Sequence, residues 1–243
     1  SGNGGTIEVN NATGLTITGA KDMFFANVLA GGDKLTTLTV NASDKVFLGD
    51  IVNDAKLETV SITATDNATI GAIADADTLT SLTVTSSAGS VTTGALGAST
   101  ANTTGDPDLV TVILTAATTV TADVIEGDDI GNITILGADG AVQVDDIASA
   151  DEMGTVSITA SDGAINLGNG TVGIVAAGTD GISVDLSATT FISEDGTDVN
   201  AAAIVTNTAG DITASLSGAA AANVNYTAGT VNTAASAGTA SLN

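Results

Sequence analysis

Apolar residues alternate with hydroxyl and amide residues in short bursts, and the bursts return at a nearly fixed interval. The run "LTTLTV" from Leu35 is answered by Leu57, Val60 and Ile62, then by Leu79, Leu82 and Val84. Each return comes 22 residues later (57 − 35 and 79 − 57). The apolar pairs continue along the chain as Leu15/Ile17, Leu38/Val40, Val60/Ile62, Leu82/Val84, Val112/Leu114, Ile133/Ile135, Val156/Ile158 and Val184/Leu186. Their second members from Ile17 to Ile158 are spaced 23, 22, 22, 30, 21 and 23. Alternation with period two places both members of a pair on one face of a strand, with Thr, Ser or Asn on the other. The interval of 30 contains "GASTANTTGDPD" around the single proline, Pro107, and reads as a polar loop inserted into an otherwise regular turn.

A second strand follows in each unit at Val46/Leu48, Ala68/Ile70, Val142/Val144 and Ile165/Leu167, and a third apolar contact follows at Ile51, Ile73 and Ile147. Short strands at a fixed period of this length predict an all-β fold, a parallel β-solenoid with coils of about 22 residues. One coil cannot bury its own inner face. Stacking puts like residues in ladders and pairs every backbone group with the coils on either side. The same "LxxLxV" spacing also fits the strand of a leucine-rich-repeat-like solenoid. Against that alternative, the position where the leucine-rich repeat carries Asn or Cys is here Ser43, Thr65 or Ser87, and helix formers are scarce on the return segments. The repeat body spans residues 1–170. Residues 171–243, rich in Ala, Thr and Gly, read as a narrower continuation of the solenoid or an extended assembly arm.

Composition narrows the picture. The chain has 243 residues, 43% hydrophobic and only 2% aromatic, without Trp, Cys, His or Arg. Its core must therefore be built of aliphatic side chains and be thin. Without His, Cys or Arg, the usual acid/base groups, nucleophiles and anion clamps are missing, so an enzyme is not expected. Paired carboxylates such as Asp145/Asp146 suit glycosidic cleavage. With only Tyr226 and four Phe, however, the chain has few aromatic platforms for a sugar.

Charge adds a second constraint. The net charge is −24, and all four lysines (Lys21, Lys34, Lys45, Lys56) fall in the first quarter. That quarter holds six acids, which leaves 28 − 6 = 22 acids and no cation from Leu57 onward. Such a surface repels nucleic acid and anionic lipid. No apolar run reaches the roughly 18 residues of a membrane span, so membrane insertion is not expected. "SGNGGTIEV" lacks an initiator Met and reads as a processed product or a piece of something longer.

The acids sit in the bends. "NASDK", "TATDN", "LGADG" and "TASDG" place Asp44, Asp66, Asp139 and Asp162 at one structural position in different coils, and further bends carry Asp75, Asp77, Asp128, Asp129, Asp145 and Asp146. Carboxylates stacked about 5 Å apart repel by about 1 kcal/mol even in water. Calcium turns that cost into binding, because it takes six to eight oxygens from carboxylates, carbonyls and water. These ten aspartates are the candidate metal ligands, and calcium is the candidate cofactor. Outward positions are hydroxyl-rich (Thr39/Asn41, Ser61/Thr63, Thr83/Thr85), which supports an alternative reading as an adhesin spacer or a module that binds ice or a glycan through a Thr-rich face.

Low Lys/Arg, no Cys, Thr/Ala/Gly/Val/Asn-rich repeats and acidic bends together resemble bacterial surface-layer proteins and the large RTX-type secreted adhesins. The resemblance covers roughly residues 6–170. It implies a structural extracellular protein at the cell surface, exported unfolded and folding on calcium. It also implies self-assembly into a layer, sheath or fibre, with cell-surface polysaccharide as partner of an anchoring region. The glycine/aspartate nonapeptide of calcium-binding β-rolls is not present; "SGNGGTIEV" has the glycines without the aspartate.

Overall fold

A computed structural model describes residues 4–29, 34–52, 56–73, 78–97, 109–149, 152–168, 173–176, 182–193, 205–207, 212–217, 221–227, 231–235 and 239–242. The regular elements among them are all strands, and every pairing between them is parallel. The chain is a β-solenoid. The leucine-rich-repeat alternative does not hold, because the return segments run as strands among the described residues.

One wall is a ten-stranded sheet. Its strands are Gly14–Gly19, Thr37–Ala42, Thr59–Ala64, Ser81–Ser86, Leu109–Ala116, Ile130–Gly137, Met153–Ala160, Ile182–Ala188, Ile212–Ser217 and Val231–Ala235, in that order. The apolar pairs stack in register, as in Leu38–Val60–Leu82–Val112–Ile133–Val156 and Val40–Ile62–Val84–Leu114–Ile135–Ile158. Bulk alternates between two neighbouring coils: Leu82 is followed by Val84, and Val112 by Leu114, so these two rungs bring a similar volume to the column. The pair Leu15/Ile17 is only partly buried. Its strand lies at the outer position of the sheet, so its ladder has a neighbour on one side.

The remaining strands form a fifteen-stranded sheet that changes shape along the column. It opens with the four-residue strand Gly5–Glu8, and in the next two coils it is a single wall of seven-residue strands, Met23–Leu29 and Val46–Val52. From the next coil it divides. One branch runs through Ala68–Ile70, Val91–Thr93, Val120–Ala122, Val142–Val144 and Ile165–Leu167. The other begins with single bridges, Ile51 to Ile73 to Leu96 to Ile125, and widens into Ile125–Gly127, Ile147–Ser149 and Ile174–Ala176. Strand Ala221–Thr227 rejoins the branches by pairing with Phe191–Ser193 at one end and Val205–Asn207 at the other. The column is thus two-walled at its ends and three-walled in the middle.

The third apolar contact expected at Ile51, Ile73 and Ile147 is this extra wall, and all three residues are fully buried. Leu35, Leu57 and Leu79, the first positions of "LxxLxV", are buried too, so the motif supplies a further ladder at the corner entering the first wall. At Gly97 the backbone has φ +102°, a left-handed conformation that favours glycine. A methyl group there would also meet the carbonyl oxygen of Glu126 in the next coil.

Candidate functional site

The bends between walls form three corners, and the acids occupy all three. At the corner leaving the first wall, Asp44, Asp66, Asp139 and Asp162 each lie two residues beyond the ladder of small residues Ala42, Ala64, Gly137 and Ala160. Asp44 and Asp66 belong to neighbouring coils, and the Asp66 amide donates to the Asp44 carbonyl at 3.1 Å. Asp139 and Asp162 are neighbours in the same sense. Ala88 and Thr118 hold the equivalent places between them, so the acidic run is two pairs and not one continuous ladder.

The two pairs differ electrostatically. Lys45 Nζ stands 3.5 Å from the Asp66 carboxylate, both side chains being nearly half exposed. A pair so open to water contributes little stability, but it supplies a local positive charge. Asp139 and Asp162 are exposed, in a part of the chain that has no lysine.

At the corner between the second and third walls, the register of Ala122 with Val144 brings Asp123 beside Asp145, followed by Asp146. Burial raises the Asp145 pKa, and the charge of Asp123 and a hydrogen bond with it push it further in the same direction. Asp123 was not among the sequence candidates. Aligning "VTAD" from Val120 with "VQVD" from Val142 would have revealed it. At the corner entering the first wall, Asp128 and Asp129 precede Ile130, and Glu152 precedes Met153 in the next coil. Asp75 and Asp77 lie outside the described residues.

Several corner side chains hold the coils together. Asp22 accepts from the Lys45 amide (3.3 Å), Asp50 from Ala72 (2.9 Å), Asn67 from Ser90 (3.0 Å) and Asp129 from Glu152 (3.1 Å). In each case the acceptor reaches the amide one coil further on, at a separation of 22 or 23 residues. A bend amide that has left the sheet ladder needs an acceptor, and a short acidic or amide side chain from the neighbouring coil provides one. Ser86 acts differently: its hydroxyl donates to the Asp66 carbonyl of the coil before (2.6 Å) and accepts from the Gly89 amide of its own bend (3.0 Å).

Chemically, then, the corners present carboxylates in twos. Among the described residues, no three acidic side chains converge in a way that could hold a metal ion. A cation at a stacked pair would draw its remaining oxygens from bend carbonyls and water, both of which calcium accepts.

The outer surface of the first wall is a flat grid. Thr37–Thr59–Ser81, Thr39–Ser61–Thr83 and Asn41–Thr63–Thr85 run side by side as three polar ladders. Further along, Ile113, Leu136 and Asp185 interrupt the hydroxyl pattern. No family model, curated protein or solved structure matches the chain.

Proposed function

We propose that this chain is a structural extracellular protein that associates with copies of itself into a surface layer, sheath or fibre, with calcium relieving its stacked carboxylates. The observation that carries the reading is the continuity of the column: one in-register parallel sheet of ten strands with the same small set of side chains on every rung. Such a body offers long straight contact faces along its walls.

Charge explains why a cation belongs in the scheme. Bodies carrying −24 repel one another, and the repulsion is strongest where no lysine intervenes. Divalent ions at pairs such as Asp139/Asp162 lower it within a coil stack and between neighbours alike. Electron microscopy and sedimentation with and without millimolar calcium test the reading. Ordered assemblies that form with calcium and dissolve on chelation are expected. A chain that stays monomeric at every calcium and protein concentration overturns it.

The polar grid of the first wall favours a second reading, a binding module for ice or a glycan. That protein would stay monomeric, and it would shape ice crystals or bind a sugar saturably.

A further inference from the structure

We propose that copies meet through a heterologous contact, in which the aromatic pair Phe24/Phe47 of one column seats in a glycine groove at Gly131/Gly154 of the next. The inference rests on the self-association reading and names its contact. Among the described residues the exposed large hydrophobic side chains are Phe24 (43% exposed), Phe47 (45%) and Val110 (51%). They fall in two patches of opposite character.

The first patch is convex. Phe24 and Phe47 are register partners on the outer face of the second wall, with ring centroids 6.4 Å apart. In the next coils that ladder turns polar, with Thr69, Thr92 and Thr121, so the rings form an isolated aromatic step. Lys21 and Lys45 lie in the bends leading into the same two strands.

The second patch is concave. Gly131 and Gly154 follow Val110 in successive coils, and glycine is required because a Cβ on either would collide with the carbonyl of the coil before it. The two missing side chains leave a groove with Val110 at one end, buried Ile130 and Met153 lining it, and Asp129 and Glu152 on its rim.

Geometry and charge match the two. Both patches step by one rung, so two rings one coil apart meet two glycines one coil apart when the columns lie along a common direction. Residues 1–56 carry four lysines against six acids, a net of −2, while the remainder carries −22. Two acidic flanks placed together are the most repulsive arrangement, whereas this contact sets Lys21 and Lys45 beside the rings against Asp129 and Glu152 beside the groove. A contact between different patches does not close on itself, so it propagates into rows.

Four variants test this, each first checked for native strand content and melting. Lys21→Glu/Lys45→Glu alone and Asp129→Lys/Glu152→Lys alone should each weaken assembly at least tenfold in sedimentation at low salt. Their equimolar mixture should restore it, since each contact then pairs opposite charges. Phe47→Ser and Val110→Asp, both at exposed positions, should weaken assembly without lowering the melting temperature. If the wild type assembles and all variants assemble equally well, this contact is wrong and self-association stands. If the wild type never assembles, both proposals fall.

Discussion

The carboxyl group of Asp145 hydrogen-bonds that of Asp123 across one rung of the column, and with its proton in place Asp145 is the donor. Asp123 also accepts from the Val124 amide at 3.0 Å, which fixes the acceptor side of the pair. The parallel register makes this contact unavoidable: an aspartate following Ala122 must stand beside one following Val144.

A raised carboxyl pKa means that the folded chain keeps a proton the unfolded chain has already lost. The resulting stabilisation is fully present below the ordinary value of 3.8 and is lost as pH rises through the folded-state value. Asp145→Asn should therefore raise the melting temperature at pH 7, on the order of 2 °C after allowing for solvent screening. The gain should vanish near pH 3. Melting curves of both proteins across pH 3–8 check this, and a variant less stable at pH 7 would contradict it.

Thr93 stands in the inward ladder between Ile70 and Ala122 and is 3% exposed, and its hydroxyl has no hydrogen-bond partner. Valine has nearly the same shape without the stranded polar group. Thr93→Val should stabilise the fold by about 1 kcal/mol, since a buried unpaired hydroxyl costs about 1–3 kcal/mol. Urea unfolding is the measurement. An unchanged or lower midpoint would mean that the hydroxyl is satisfied in solution.

Much of the column is legible in the residues because a parallel stack demands the same thing of every coil. Leu38, Val60 and Leu82 must all point inward, so the period shows directly. Single-residue contacts such as Ile73 were visible for the same reason. What escaped are features that depend on two coils at once. Gly131 looks like any turn glycine until the Val110 carbonyl is packed against it. Asp129 reads as a free ligand until the Glu152 amide is found beneath its carboxylate. The merging of two walls into one strand at Val46–Val52 leaves no mark in the alternation, because the second and third apolar contacts occur in both arrangements.

Gly97 should be intolerant of a side chain. Its left-handed φ costs an L-residue about 1–3 kcal/mol, and the added methyl also meets the Glu126 carbonyl. Gly14 offers the control, since a methyl there meets nothing within 4 Å. Gly97→Ala should lower the urea midpoint clearly, while Gly14→Ala should leave it within a few tenths of a kcal/mol. Equal responses would show that the turn relaxes without cost.

The two stacked pairs at the first corner provide an internal comparison for calcium. Asp44/Asp66 already has Lys45 beside it, whereas Asp139/Asp162 lies in the part of the chain that carries no cation. If like-charge repulsion is what calcium relieves, its effect belongs to the second pair. At a hundredfold excess over the dissociation constant a single site adds about 2.7 kcal/mol, a shift of several degrees in a chain this size. Asp139→Asn/Asp162→Asn should melt higher than the wild type without calcium, because the repulsion has gone, and should respond little when calcium is added. Asp44→Asn should respond as the wild type does. A saturable calcium shift that survives unchanged in the double variant would move the ion away from this corner, and a shift lost in Asp44→Asn would place it at the pair that holds the lysine.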